Sequence, residues 1–255
     1  MVSILSYRAL ALVLLGYPDA ALIDADRAVQ HARDTGQAAN LMFALGHVSI
    51  INALCRNYEV VNSYADELFI LADEKSAFFW RTRAMIARGE AFLLKGSAAE
   101  AVETITSGIA AFRSTGSTLW LPLHLSELAS AHGGLGQFDQ AWHCIGEAID
   151  TIATTKERWH EAEVNRVAGE IALKSPNADA AKAEAYFERA LAIARNQEAK
   201  SWELRSAMSM ARLLRDQGKR DEARALLASV YGWFTEGFDT RDLKEAKALL
   251  DALSG

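Results

Sequence analysis

Residues 136–141 read Gly-Gln-Phe-Asp-Gln-Ala, and this stretch decides the fold. It places a glycine before an aromatic and an acidic residue, and it ends on an alanine that we call the anchor position. The anchor recurs at intervals of 40, 40, 40, 42 and 40 residues, at Ala21, Val61, Ala101, Ala141, Ala183 and Ala223. A repeat of this regularity predicts a solenoid of stacked units, each of which contacts only its neighbours.

Each unit reads as a helix A, a tight turn, a helix B and a second turn. Small residues precede the anchors on helix A at Ala9, Ser49, Gly89, Ala129, Ala168 and Ala211. A small side chain there lets helix A approach helix B closely. Glycines mark the turn between the two helices at Gly16, Gly96, Gly136 and Gly218, where we expect a left-handed residue to end helix A.

The predicted fold is an all-α, right-handed superhelix of six helical hairpins followed by a capping helix, in one solenoid domain that spans residues 1–255. We expect the repeats at about 1–36, 37–75, 76–116, 117–156, 157–199 and 200–234, and the capping helix at about 240–253. Leu243, Ala246, Leu249 and Leu250 would form the apolar face of that last helix. The longer stretch between Lys174 and Asp179 predicts an extended loop in the fifth repeat, because Pro176 cannot continue a helix.

Composition narrows the classes of partner. The chain is 51% hydrophobic with a net charge of −6, so nucleic acid is not expected as a ligand. The apolar run Val2–Leu15 contains Arg8 and is shorter than the roughly 20 residues of a membrane-spanning helix, which makes it the first helix of repeat one. Cys55 and Cys144 have no metal-binding spacing and are expected to be buried thiols of a cytoplasmic protein.

The glycine, the aromatic-acidic turn and the two small positions of helix B resemble the tetratricopeptide repeat (TPR), although that repeat has a period of about 34 residues. The stretches 188–195, 201–205, 211–214 and 230–240 are similar to the C-terminal helical array of bacterial regulators that join a cyclase domain, an ATPase module and TPR-like repeats. This resemblance implies a regulatory or sensory array. No phosphate-binding loop or cyclase-type metal site occurs in the sequence, so neither activity is implied.

Aromatic and charged residues near the start of helix A are the candidate binding residues. A row of tryptophans could line a groove, or it could fill the joints between repeats. The candidates are Trp80, Arg83, Trp120, Glu127, Trp159, Arg166, Trp202 and Arg205. No arrangement of nucleophile, base, metal ligands or cofactor motif emerges from the repeat pattern, so we expect neither catalysis nor a bound cofactor or metal.

The predicted function is a non-catalytic scaffold that binds a protein or peptide in a concave groove. A sensor that binds a small molecule or peptide in the same groove is the alternative. The apolar residues Ile4, Leu5, Leu12 and Leu15 of the first helix are expected to be exposed and to promote self-association through the N-terminal repeat.

Overall fold

The computed structural model describes residues 1–254, and these contain thirteen α-helices and no β-strand. The helices are α1 Val2–Leu15, α2 Pro18–Thr35, α3 Ala38–Leu54, α4 Tyr58–Glu74, α5 Phe78–Lys95, α6 Ala98–Arg113, α7 Leu121–Gly134, α8 Phe138–Thr155, α9 Glu161–Lys174, α10 Ala180–Asn196, α11 Lys200–Asp216, α12 Arg220–Tyr231 and α13 Arg241–Ser254. Six hairpins, α1/α2 to α11/α12, precede the final helix. The predicted all-α fold of six hairpins and a cap is therefore confirmed.

The chain divides into two compact units. The first comprises Met1–Val13 and Tyr17–Leu119, and the second comprises Leu14–Gly16 and the chain from Trp120 onward. Within the first unit, helices α2 to α6 pack in sequence and α3 also contacts α5. Within the second, α7 to α13 pack in sequence, and the odd-numbered helices α7, α9, α11 and α13 contact one another in turn. In each unit, odd-numbered helices thus form a layer of their own.

Burial follows the repeat. All six anchor residues are completely buried, at Ala21, Val61, Ala101, Ala141, Ala183 and Ala223. The small residues of helix A are buried with them at Ala9, Ser49, Ala129, Ala168 and Ala211. The recurrence in the sequence therefore marks the positions where the two helices of a hairpin are in contact.

Two glycine–isoleucine pairs bring α5 and α6 together. A Cβ atom on Gly89 would lie 2.4 Å from Cγ1 of Ile105, and a Cβ atom on Gly108 would lie 2.7 Å from Cγ1 of Ile86. Each isoleucine thus occupies the space that a side chain on the facing glycine would need. Gly89 is one of the small helix A positions of the repeat, and Gly108 is its counterpart on helix B.

Left-handed residues end the helices at both kinds of turn. The four predicted glycines, Gly16, Gly96, Gly136 and Gly218, all have positive φ. Repeat two has Arg56 in this conformation, with φ of 59°. The turns that lead from one repeat to the next also contain a left-handed residue, at Gly36, Ser76, Gly116, Lys156, Glu198 and Gly237. The sequence pattern did not predict this second set, because half of its members are not glycine.

The fifth repeat has the extended loop that Pro176 predicts. Helix α9 ends at Lys174, and Ser175 is in an extended conformation with φ of −60° and ψ of 151°. Helix α10 begins after Asp179, whose Oδ1 accepts a hydrogen bond of 2.9 Å from the backbone N–H of Lys182. This is the expected N-cap arrangement for an aspartate.

The C-terminal helix α13 packs its apolar side against α11 and α12. Leu243, Ala246, Leu249 and Leu253 are buried, and Leu250 is partly buried against the same core. Cys55 and Cys144 are buried free thiols. Among the described residues, no helix has the length and apolar character needed to cross a membrane.

Candidate binding surface

In the first unit, Trp80 belongs to an aromatic cluster on the odd-numbered helices. Its ring meets Phe43 edge-on at 6.1 Å between centroids and covers Gly46, where a Cβ atom would lie 2.8 Å from Cζ3. Phe43 stacks on His47 at 4.1 Å, and Tyr7 meets both rings edge-on. The sequence indicates Trp80, but only the i, i+4 spacing of residues 43 and 47 could have indicated its neighbours.

Arg83 lies beside this cluster and is buried. Burial, together with a smaller effect of the positive charge of Arg83, lowers the pKa of His47 to about 4. A hydrogen bond of 2.9 Å between His47 Nδ1 and the Phe43 carbonyl oxygen raises the pKa and so partly offsets the effect of burial. Because a carbonyl oxygen only accepts, Nδ1 carries the proton, and His47 is neutral at pH 7.

In the second unit, three tryptophans connect successive repeats. The backbone N–H of Trp120 donates to both oxygens of Glu157 at 2.9 and 3.0 Å, and Trp159 Nε1 donates to Glu157 at 2.9 Å. Trp202 Nε1 donates to the carbonyl oxygen of Trp159 at 2.9 Å. Trp120 and Trp202 are buried, and Trp159 is half-buried. Trp120 and Trp202 therefore have the geometry of joint-filling residues. Glu157, which the repeat pattern does not indicate, is the shared partner of Trp120 and Trp159.

Five charged side chains form a continuous series along the odd-numbered helices α9, α11 and α13. We call this series, Glu170–Arg166–Glu163–Arg205–Asp242, the ion-pair chain. Arg166 holds Glu163 through two nitrogens at 2.8 and 2.9 Å and lies 3.3 Å from Glu170. Arg205 lies 3.6 Å from Glu163 and 2.6 Å from Asp242. The structure thus brings together Arg166 and Arg205, two of the predicted site residues.

All members of the ion-pair chain retain some contact with solvent, with side-chain exposures between 10 and 29%. Burial alone would raise the pKa of Glu163, but Arg166 and then Arg205 outweigh that effect and hold it at about 2. Burial also opposes the charged forms of Arg166 and Arg205. The neighbouring carboxylates Glu163 and Asp242 outweigh this effect, so the pKa values of both arginines are raised. Glu163 is therefore ionised at neutral pH and has no proton to donate.

No protein-family model matches the sequence, and no curated protein matches it. Solved structures do match. A Rap protein complexed with competence and sporulation factor superposes with a TM-score of 0.66 at 12% identity, over 98% of this chain and 73% of that one. TPR-like repeats of a putative kinesin light chain from Podosopora anserina give a TM-score of 0.51 at 19% identity, over 75% of this chain and 93% of that one. The chain has a TPR-like fold.

The predicted TPR-like fold is therefore confirmed, although the repeat is longer than the usual TPR period of about 34 residues. At identities of 12 and 19%, the likeness concerns the fold.

Ser126 on α7 and His160, which immediately precedes α9, form a buried contact. Ser126 Oγ lies 2.8 Å from the carbonyl oxygen of Leu123 and 2.9 Å from His160 Nε2. Burial lowers the pKa of His160 to about 3, and both residues are almost completely inaccessible.

The last predicted site residue, Glu127, lies on α7 with Oε2 at 3.5 Å from Nδ1 of the buried His124. It is partly exposed, as are Trp80 and Trp159. Seven of the eight candidate residues therefore occupy three settings: the aromatic cluster of the first unit, the tryptophan row of the second, and the ion-pair chain. Glu127 lies on α7, in the same layer of helices as the ion-pair chain.

Proposed function

We propose that this chain is a non-catalytic TPR-like scaffold that binds a protein or peptide along its odd-numbered helices. The observation that carries the proposal is the ion-pair chain on α9, α11 and α13. Ion pairs that lose most of their hydration rarely stabilise a fold more than well-packed apolar residues would. Their presence on a layer of helices that still contacts solvent is better accounted for by recognition of a charged partner.

The ion-pair chain alternates in sign, with three carboxylates and two guanidinium groups. A peptide that carries both charges could exchange with it, offering a carboxylate to Arg166 or Arg205 and a cation to Glu170 or Asp242. Such exchange leaves no charge unpaired, so the cost of removing the partner from water is limited. The Rap protein, whose structure was solved with competence and sporulation factor, supports a ligand-binding role for this fold.

The experiment is a selection from a random-peptide display library on the immobilised full chain, followed by measurement of each enriched peptide in solution. The double variant Glu163→Gln, Arg166→Gln removes the central pair without changing the net charge. We expect it to weaken binding at least tenfold. The control variant Arg33→Gln, Glu67→Gln removes an exposed pair between α2 and α4 and should bind as the parent does.

Two outcomes would contradict the proposal. Either the library yields no peptide that binds the parent, or the enriched peptides bind the variant without the central pair as tightly as they bind the control variant.

A small-molecule sensor is the second candidate function. The aromatic cluster of Tyr7, Phe43 and Trp80 supports it, since flat rings favour a planar ligand. Quenching of tryptophan emission by such a ligand, lost on Trp80→Leu, would distinguish it.

We further propose that the chain acts in a cytoplasmic regulatory system of the cyclase or ATPase type, as its C-terminal motifs imply, and that it has no turnover of its own. In support, the lowered pKa values of Glu163 and His160 make both groups weak bases, and His160 is also buried. With ATP or GTP and magnesium, the purified chain should release phosphate only at the background rate. Saturable turnover that a point substitution abolishes would overturn this part.

A further inference from the structure

A cleft in the second unit lies between the C-terminal halves of α8 and α10, beside the start of α9. It has two lobes of about 200 and 380 Å³, and the side chains of Arg158 and Arg189 line both. The smaller lobe is walled by Ile149, Ile152 and Ala153 of α8. A lobe of this size and lining accommodates one branched aliphatic side chain.

The rim of the cleft is positively charged. Lys156, Arg158 and Arg189 face a single carboxylate, Glu161, which lies 2.7 Å from Arg158 and 3.9 Å from Arg189. Both arginine side chains are more than 60% exposed, so their remaining N–H groups are open to a ligand. The excess of two positive charges favours an anion at the point where the lobes meet.

This positive rim is particular to one repeat joint. The positions equivalent to Lys156, Arg158 and Arg189, counted from the tryptophans and the anchors, carry Ser117, Leu119 and Glu147 in the preceding joint and Ala199, Ser201 and Ser229 in the following one. Stacking of the repeats therefore does not require the three cations. They stand out further because the whole chain is acidic, with a net charge of −6.

Two amide side chains add hydrogen-bond acceptors to the walls. Asn165 is 98% buried and donates Nδ2 to the carbonyl oxygen of Glu161 at 2.8 Å, but its Oδ1 has no hydrogen-bond partner. Gln197 donates Nε2 to the carbonyl oxygen of Arg158 at 2.9 Å, and its Oε1 also lacks a partner. A buried acceptor without a donor is costly, and a ligand N–H would satisfy it.

We propose that this cleft binds the free C-terminus of a peptide or protein that ends in leucine, isoleucine or valine. The terminal carboxylate would pair with Arg158 and Arg189, the aliphatic side chain would fill the lobe beside Ile149 and Ile152, and a peptide N–H would reach Asn165 or Gln197. An internal peptide segment has no terminal carboxylate to offer at this position. The site goes beyond the function proposed above, since it shares no residue with the ion-pair chain.

The probe is N-acetyl-glycyl-alanyl-leucine, titrated calorimetrically into the full chain. We expect a dissociation constant on the order of 100 µM, as for other ligands of this size. The C-terminal amide of the same peptide should bind at least tenfold more weakly because it lacks the negative charge. A peptide that ends in serine should also bind more weakly, because it leaves the apolar lobe empty.

The double variant Arg158→Gln, Arg189→Gln should weaken binding of the free acid at least tenfold. The control variant Arg27→Gln, Arg224→Gln removes two exposed arginines elsewhere and should bind as the parent does. The variant Glu163→Gln, Arg166→Gln should also retain binding, which separates this site from the proposed scaffold surface. Circular dichroism of each variant checks that it is folded.

Equal affinity for the acid and the amide, no effect of the Arg158 and Arg189 substitutions, or no heat of binding at millimolar peptide would each overturn the proposal. A further arm uses 4-methylpentanoate, which has the carboxylate and the aliphatic group but no amide. If it binds as tightly as the peptide, the cleft takes a small organic acid and the assignment to a peptide terminus is wrong.

Discussion

At the scale of single residues, the glycines inside helices differ in what surrounds them. Gly89 faces Ile105 so closely that an added Cβ would lie 2.4 Å from the Cγ1 atom and 3.0 Å from the backbone nitrogen. Gly146 on α8 has no atom within 4 Å of the same position. Alanine favours a helix by up to about 1 kcal/mol over glycine, but its Cβ atom needs space. Whether a Gly→Ala substitution stabilises or destabilises the fold therefore depends on the space around that glycine.

We expect Gly146→Ala to raise the free energy of unfolding by about 0.5–1 kcal/mol, since only helix propensity changes. Gly89→Ala should lower it by about 1–3 kcal/mol, because α5 and α6 must move apart. Urea unfolding followed by circular dichroism measures both. A stabilising Gly89→Ala would show that the two helices are not in the close contact described.

The buried histidines make a prediction about pH. His47 and His160 have pKa values of about 4 and 3 in the folded chain, below the value of about 6.5 in an unfolded one. Between these limits the unfolded state binds more protons, so stability is full above pH 6.5 and falls as the pH decreases. At pH 5 each histidine should cost about 2 kcal/mol relative to pH 7.

Urea titrations at pH 7 and pH 5 measure this difference in the free energy of unfolding. In the variant His160→Gln the difference should be about half of that in the parent. The exposed His143→Gln should keep the dependence of the parent. Glu163 contributes little to the stability difference between pH 7 and pH 5, because the stabilisation from its lowered pKa is lost only below about pH 4.5. A stability that is the same at both pH values would mean that the two histidines are hydrated or already protonated.

At the scale of the helical hairpin, the anchor residues decide how closely two helices pack. Ala141 is completely buried where α8 contacts α7, whereas its neighbour Gln140 is exposed. Ala141→Arg must either bury an unpaired charge or separate the helices, and we expect a loss of about 3 kcal/mol or more. Gln140→Arg should change stability by less than about 0.5 kcal/mol. Similar melting temperatures for the two variants would contradict the assigned register.

Much of this element-level description follows from the sequence, since buried small residues at a fixed spacing can be read without coordinates. The left-handed turns at Ser76, Lys156 and Glu198 could not be predicted, because these residues have no preference for that conformation. The sequence also does not predict the ion-pair chain. Arg166 and Arg205 could be selected by position, but their partner Asp242 lies on the capping helix, and only the packing of α13 against α11 brings it near.

At the scale of the whole molecule, self-association through the N-terminal repeat stays a prediction, with a changed set of residues. Leu5 is buried rather than exposed and Leu12 is half-buried, because both face the interior side of α1. Ile4 is 65% exposed, and Leu15 is exposed less. Exposed apolar residues of this kind can pair with a second copy.

We expect sedimentation of the parent to show concentration-dependent dimers and Ile4→Glu to reduce them. Ile70→Glu, which changes a similarly exposed isoleucine on α4, is the matched control. A parent that stays monomeric at high micromolar concentration, or a control that acts as strongly as Ile4→Glu, would exclude association through this helix.

The tryptophan row of the second unit also gives the molecule an optical signature. Trp202 is 1% exposed, and its indole hydrogen bonds to the Trp159 carbonyl across the joint between two repeats. An indole shielded from water emits at shorter wavelength than a hydrated one, so opening of that joint shifts the emission to the red even while the helices on either side remain intact. The emission of Trp202 therefore follows this joint, and circular dichroism follows the helices, in the same unfolding experiment.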